Sequence, residues 1–483
     1  MVLGVGGEAH LEKSRGQGLE SRVRGPGSVL FVLITSSGSP HHGWPIWTPD
    51  PGPETLPAVL TSSLRSVFAA LRHRNFRLFL TGQFISLCGT WMQTIAQGWL
   101  VLQLTDSAFA VGLVTALGSL PILLFSLYGG VIADRVNKRQ FILVLQSLML
   151  LEALTLGVLT ALDLITVEWV MGLAVFFGLL TAFEVPARQA FVAEIVGRED
   201  LMNAIALGSS AFNLARVIGP AVAGLLIATL GLEACFFANS ASYLAVIVSL
   251  IRMEADYTQT PVVASVWRSL GEGFAYVFGH RWPRALVIIV TTFSVFGFSF
   301  MPLMPVFARD ALGLDAGGYG VMVAAIGAGA LAAAFFMAAF GSRVRQSRLV
   351  LGSSVSFGTI LLAASLSPDF WSAAVLYTIC GGTMALSGIA ANTMLQTEAP
   401  DELRGRVMGF YSFMVLGLAP FGSLQAGLLA EQFGVRTAFA VGALVCLAVS
   451  AGVSWWMGRA VRERRDRRQQ RERLADLERR ERR

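Results

Sequence analysis

Lysine is nearly missing from this 483-residue chain, occurring only at positions 13 and 138. The phosphate-cradling pattern G-x-x-x-x-G-K-[ST] is missing with it, which excludes ATP-driven work within the chain. The five histidines, at 10, 41, 42, 73 and 280, lie outside every long apolar run, and no Ser/His or metal-ligating constellation occurs. No enzymatic activity, metal or other cofactor is therefore expected. Cys88, Cys235, Cys380 and Cys446 fall in four separate apolar runs with no C-x-x-C spacing. They read as small buried hydrophobes, not as a disulfide framework. Charged residues make up only 14% of the chain, and twelve of the 37 Lys+Arg crowd into the tail beyond Gly458. The positive excess belongs to loops and tail, and no nucleic-acid partner is expected.

Apolar residues are what the chain has in quantity. It is 54% hydrophobic with a mean hydropathy of +0.62, the composition of a polytopic membrane protein. A run of ~20 apolar residues crosses a ~30 Å hydrocarbon core as a helix. Twelve such spans are predicted, near 78–104, 108–132, 140–162, 166–188, 202–230, 233–252, 285–308, 318–341, 348–366, 371–396, 406–431 and 435–457. The fold class is all-α, with twelve transmembrane helices in two six-helix bundles. Residues 1–63, rich in Gly, Pro and Ser, read as a disordered N-terminal extension. The first bundle is expected over 64–252, a polar cytoplasmic linker over 253–284, the second bundle over 285–457, and a charged cytoplasmic tail over 458–483.

Cation placement sets the orientation. The connections on one side of the membrane carry fourteen Lys/Arg between residues 133 and 406, and the connections on the other side carry two, Arg309 and Arg436. Positive charge stays inside, so both termini are expected in the cytoplasm. The halves also repeat, at an offset near 203 residues: Leu201 aligns with Leu403, Gly224 with Gly427, Gly231 with Gly434, and Phe236 with Phe439.

Between the second and third spans lies a short charged hairpin, Gly129 to Arg139. Asp134 falls at the negative end of the incoming helix dipole, so a cationic partner or a facing helix N-terminus is expected for it. Gly129 and Gly130 would let a neighbouring helix come close. From Gly130 the hairpin resembles the major facilitator loop pattern G-x-L-A-D-R-x-G-R-K. Ile132 stands for Leu, Asn137 for Gly, and Lys138-Arg139 reverses the usual order. Asn is one of the few residues that tolerates the left-handed backbone suited to that Gly. Arg74-Asn75-Phe76-Arg77, the segment from Glu184 to Phe191, and the segment from Asn213 to Pro220 resemble the bacterial enterobactin-exporter-like branch, which includes relatives of macrolide efflux pumps.

That resemblance covers about 65–457. It implies two parallel six-span halves rocking about a site near the midplane. It also implies secondary-active, proton-coupled efflux of an amphipathic small molecule, such as a siderophore or macrolide-like drug. The setting would be a bacterial-type inner membrane, with a monomeric chain in contact with lipid. A lysolipid or lipid flippase of the same fold, and a non-transporting sensor or scaffold, are the alternatives.

Arg216 sits near the middle of span five. A bare guanidinium there costs at least ~2.5–3.5 kcal/mol, so it should face the bundle interior. Two environments suit it: a carboxylate partner, for which Glu152 lies at a fitting depth in span three, or a water-filled central cavity. Glu152 is also the candidate proton carrier; a static ion pair with Arg216 is the competing role. Glu184 and Arg188, at i and i+4, can pair on one helix face. With Gly130, Asp134, Arg135 and Arg139 they define an expected inner-face gate, near Arg404 and Arg406. Gly219, Pro220 and Gly224 resemble the antiporter motif of span five, with Ala215 and Ala223 in place of two glycines. Cavity lining is expected from Gln93, Gln97, Phe293, Phe296, Met301, Met304, Tyr377, Thr383, Met384 and Asn392, because aromatic and Met surfaces adapt to apolar cargo while amides orient it.

Overall fold

The computed structural model describes residues 68–133, 135–253, 266–341 and 343–481. The expected extension over 1–63, Asp134, and residues 254–265 of the linker lie outside the described residues. After a 3-10 turn, Ala69–Arg72, the chain runs through α1 (Arg74–Thr105), α2 (Ala108–Ala133) and α3 (Lys138–Ala161). A continuous 64-residue helical stretch, Val167–Leu230, follows. Gly197, with φ 70 and ψ 178, divides it into α4 (167–196) and α5 (198–230). Then come α6 (Leu232–Ile251), the short α7 (Val266–Gly279), α8 (Arg281–Ala311), α9 (Ala316–Phe340), α10 (Gln346–Ser365), α11 (Phe370–Glu398), α12 (Glu402–Phe433) and α13 (Val435–Glu481).

Among the described residues, ten segments reach the length and hydropathy of a membrane span. The division at Gly197 adds one, and α1 another, since its 32 residues are long enough but include Gln83, Gln93 and Gln97. Twelve spans result, six on either side of α7.

Capping fixes several helix starts. Asp315 accepts a hydrogen bond from the backbone N–H of Gly318 at 2.8 Å and starts α9. Asp369 accepts from the N–H groups of Ser372 and Trp371 at the start of α11, and the Ser372 N–H above all holds its carboxyl below the usual range. Asn137 does the same for α3, accepting from the N–H of Gln140 at 3.2 Å. Its backbone is extended (φ −66, ψ 105). The left-handed role expected for Asn137 is thus replaced by an N-cap, which uses the side-chain oxygen that Gly lacks.

The two halves meet along two seams, α2 against α12 and α5 against α9. Glycines set both. A Cβ on Gly112 would lie 2.6 Å from the Ser423 carbonyl oxygen, and one on Gly320 would lie 2.7 Å from that of Pro220. The repeat seen in sequence has a structural meaning here. Gly224 packs on Gly317 and Gly320, and its counterpart Gly427 packs on Ala108 and Gly112, so each copy occupies one seam. Gly231 and Gly434 both turn the chain with positive φ, at 94 and 83, where a side chain would be strained.

Both seams lie toward the end carrying Asp106. There Arg309 spans the halves, with its Nη2 2.5 Å from Asp106 and its Nε 2.6 Å from Asp310. Glu431 of α12 accepts from the Ser107 hydroxyl and the Phe109 N–H, both at 3.0 Å, capping the start of α2 from the opposite half. At the far end, among the described residues, the pairs Arg72–Asp200, Lys138–Glu194 and Glu184–Arg188 stay within the first half, and Arg406 pairs with Glu272 of α7 between the halves. The molecule is therefore clasped at the Asp106 end.

The linker is not wholly polar coil. Its α7 docks on α12, with Phe274 edge-on to Phe410, and on the end of α11, where the Tyr276 hydroxyl donates to the Glu398 carbonyl at 2.7 Å.

Candidate functional site

A cavity of about 510 Å³ lies between the halves below the clasp. Its wall comes from α1, α2, α4 and α5 of the first half and from α8 and α9 of the second. The α8 wall is irregular. A π-helical turn at Phe293–Gly297 and a 3-10 turn at Phe298–Phe300 precede Pro302, and Phe298, Met301 and Pro302 face the cavity. Irregular backbone at membrane depth is tolerated where it lines a cavity.

Of the residues expected to line a cavity, Gln93, Gln97 and Met301 are on this wall, and so is Arg216. The other expected lining residues are elsewhere. Phe293 packs on Phe357 at 4.6 Å, and Tyr377 is wholly buried between Phe300 and Phe307. Met384 is buried in the second-half core, and Asn392 accepts from Gln396 along its own helix. Phe296, Met304 and Thr383 are also outside the wall, to which α11 contributes no residue.

In their place the wall holds Trp91, Phe177, Phe212 and Tyr319 with the hydroxyls of Thr90, Thr94, Thr115, Ser119 and Thr181. One part of this was readable. Residues 90, 93, 94 and 97 of α1 form a polar stripe at helical spacing.

Glu152 and Arg216 do not pair. Glu152 is 2% exposed and accepts from Gln93 Nε2 at 3.1 Å on each oxygen. Gln93 in turn accepts from Asn239 Nδ2 at 2.7 Å, and Asn239 donates weakly to the Tyr243 hydroxyl at 3.4 Å. Gln93 thus stands between the cavity and a buried carboxylate. Arg216 lies over the Trp91 ring, 5.6 Å from its centre, and Trp91 meets Phe212 edge-on. The Nε of Arg216 is buried without a hydrogen-bond partner, and among the described residues no carboxylate is within salt-bridge reach.

The residues of the expected gate are distributed. Glu184 and Arg188 pair at 2.9 Å, with Gln146 donating to the same Glu184 oxygen at 3.4 Å. Arg139 is committed elsewhere, donating to the carbonyls of Leu250 and Ile251 at the end of α6, where the helix dipole favours a cation. Arg135 is exposed. Lys138 was not singled out as a site residue, yet it is 6% exposed and pairs with Glu194 at 2.5 Å.

The hairpin glycines separate cleanly. A Cβ on Gly129 would collide with the Ala182 carbonyl of α4, while one on Gly130 meets nothing within 4 Å among the described residues. Gly129→Ala is therefore expected to cost about 1–3 kcal/mol, and Gly130→Ala to change stability by no more than about 0.5 kcal/mol. Thermal unfolding of the two purified variants checks this. In the antiporter-like motif, a Cβ on Gly219 would lie 2.5 Å from Trp91 Cβ, and Gly224 meets α9. The motif therefore fits α5 against both α1 and the second half, and Gly219 sets the position of the Trp91 that underlies Arg216.

Two six-helix lobes around a central cavity clasped at one end form the architecture of a secondary transporter. Residues 65–474 match the transmembrane secretion effector family. The chain belongs to this family of major facilitator efflux transporters. It is 26% identical over 370 residues to the staphyloferrin A transporter of Staphylococcus aureus, covering 76% of this chain and 92% of that protein. It is likewise 26% identical to the multidrug efflux pump Tap of Mycolicibacterium fortuitum (75% and 90% covered) and to the enterobactin exporter EntS of Shigella flexneri (77% and 88% covered). The fold matches a bacterial homologue of the human lysosomal transporter Spinster in an inward-facing, occupied conformation. The TM-score is 0.64 at 12% identity, covering 80% of this chain and 97% of that one. It also matches the nucleoside transporter NupG, with a TM-score of 0.63 at 11% identity over 79% of this chain and 98% of that one.

Proposed function

We propose that this chain exports an amphipathic small molecule, of the siderophore or macrolide-like kind, in exchange for protons. The observation that carries the reading is the cavity between the halves, sealed at the Asp106 end and lined by aromatic, Met and amide side chains. The halves, taken as 64–252 and 285–457, rock as two bodies about this cavity, with the 253–284 linker between them. Cation asymmetry supports placing the clasped end outward and both termini in the cytoplasm, so the clasped form is the inward-facing one.

Glu184, Arg188, Asp134, Arg135 and Gly130 form the gate at the cytoplasmic end, which engages when the clasp opens. Glu152, reached through Gln93, carries the proton. The chain works as a monomer in the bacterial inner membrane.

Inverted vesicles containing the purified protein test this with labelled enterobactin and erythromycin. An acid interior is expected to drive accumulation of at least one of them, abolished by a protonophore. Accumulation insensitive to the gradient removes proton coupling. If neither compound enters and only lysolipid moves, the protein is a flippase.

A further inference from the structure

Among the described residues the cavity wall carries a single charged side chain, Arg216, and no acidic one. That guanidinium has a ring beneath it and an unpartnered Nε, and Glu152 is engaged behind Gln93. The hydroxyls around it are of the opposite character. Thr90, Thr94, Thr115, Ser119 and Thr181 each donate to the carbonyl four residues earlier, so they offer lone pairs to the cavity. Gln93 donates to Glu152 and accepts from Asn239, which leaves it little to offer.

We infer that Arg216 is the binding point for an anionic oxygen group of the cargo, a carboxylate in the first instance. Neutral O–H or N–H groups of the same molecule face the hydroxyls of α1 and α2. The apolar body lies against Trp91, Phe212, Phe298 and Met301. The inference rests on the transport reading above and narrows it: cationic amphiphiles are disfavoured by the like charge, and a planar fork of N–H donors suits a carboxylate. Two sources supply such a group, a soluble amphipathic acid and an anionic lysolipid.

The test is equilibrium binding to the purified full-length protein of three probes with one apolar body: pyrenebutyrate, its uncharged amide, and pyrenebutylamine. The carboxylate is expected to bind about 10–100-fold more tightly than the amide, the range of a hydrogen-bonded charge, and the amine most weakly. Arg216→Gln should level carboxylate and amide, and Arg216→Lys should keep their order. Equal binding of the three probes to the unaltered protein, or preference for the amine, overturns the anion site without any variant.

Displacement of bound pyrenebutyrate by lysophosphatidylglycerol, with lysophosphatidylcholine silent, supports the site and identifies a lipid as the source. Displacement by naphthaleneacetate alone supports it and identifies a soluble acid, and displacement by none of these refutes it. Vesicle transport of the same probes keeps the two readings apart. Transport of all three without charge preference sinks the anion site alone, and ordered binding with no transport sinks the exporter alone.

Discussion

Glu152→Gln is expected to lower uphill, gradient-driven efflux by roughly 10–100-fold, the span of a coupling free energy of about 1–3 kcal/mol between proton and cargo. Energetically downhill exchange of cargo should persist. The reason lies in the connectivity. The carboxylate is 2% exposed, is held by both of its oxygens on Gln93 Nε2, and does not touch the cavity itself. Gln93 is both a wall residue and the donor to Glu152, so a change at either face of that amide is felt at the other. Glutamine keeps the size of the side chain and one acceptor while removing the ability to release a proton. Parallel assays of accumulation against a pH gradient and of counterflow without one decide the matter. Unchanged accumulation, with a lowered unfolding temperature, would assign Glu152 to packing alone.

Gly320→Val is expected to wedge the clasped end open. Its Cβ would meet the Pro220 carbonyl at 2.7 Å and Gly224 Cα at 2.9 Å, and backbone atoms cannot swing aside as a side-chain tip does. Overpacking of about 1–3 kcal/mol at that seam shifts a two-state equilibrium by about 5–150-fold away from the clasped form. Gly112→Val, on the other seam, should act alike, because its Cβ meets the Ser423 carbonyl at 2.6 Å. Cysteines introduced at Asp106 and Arg309, whose side chains pair at 2.5 Å, report the clasp directly. Their cross-linking should fall in either glycine variant, together with transport. Full cross-linking and full transport in both would show that the seams do not move.

The close approaches and the candidate site were legible in the sequence to different degrees. Gly129 and Gly130 are indistinguishable as letters, but only Gly129 faces a neighbouring carbonyl. Arg216 stood out because a charge in an apolar run is costly wherever the helix turns. Its environment did not, since a ring, a carboxylate and a cavity all suit it. The second-half lining was misplaced for a different reason. The polar residues of helix α11 form no stripe along one face, so nothing in its pattern shows that it stays off the cavity wall, and Tyr377 and Met384 turn into the core of their own half. On α1 the amides and threonines do form a stripe, and there Gln93 and Gln97 lie on the cavity wall.

By itself the sequence determined the number of spans, their division into two repeating sets and the residues that pay for being charged. These depend on the transfer of side chains into hydrocarbon, which is additive along a single helix. Only the tertiary structure decided that Glu152 answers to Gln93 and Asn239, that Arg216 stands over Trp91 with its charge unpaired, and that the seams are closed at the Asp106 end. Such pairings depend on how each helix is rotated about its axis against its neighbours. That rotation is set by packing across helices distant in sequence, where small residues let backbones touch.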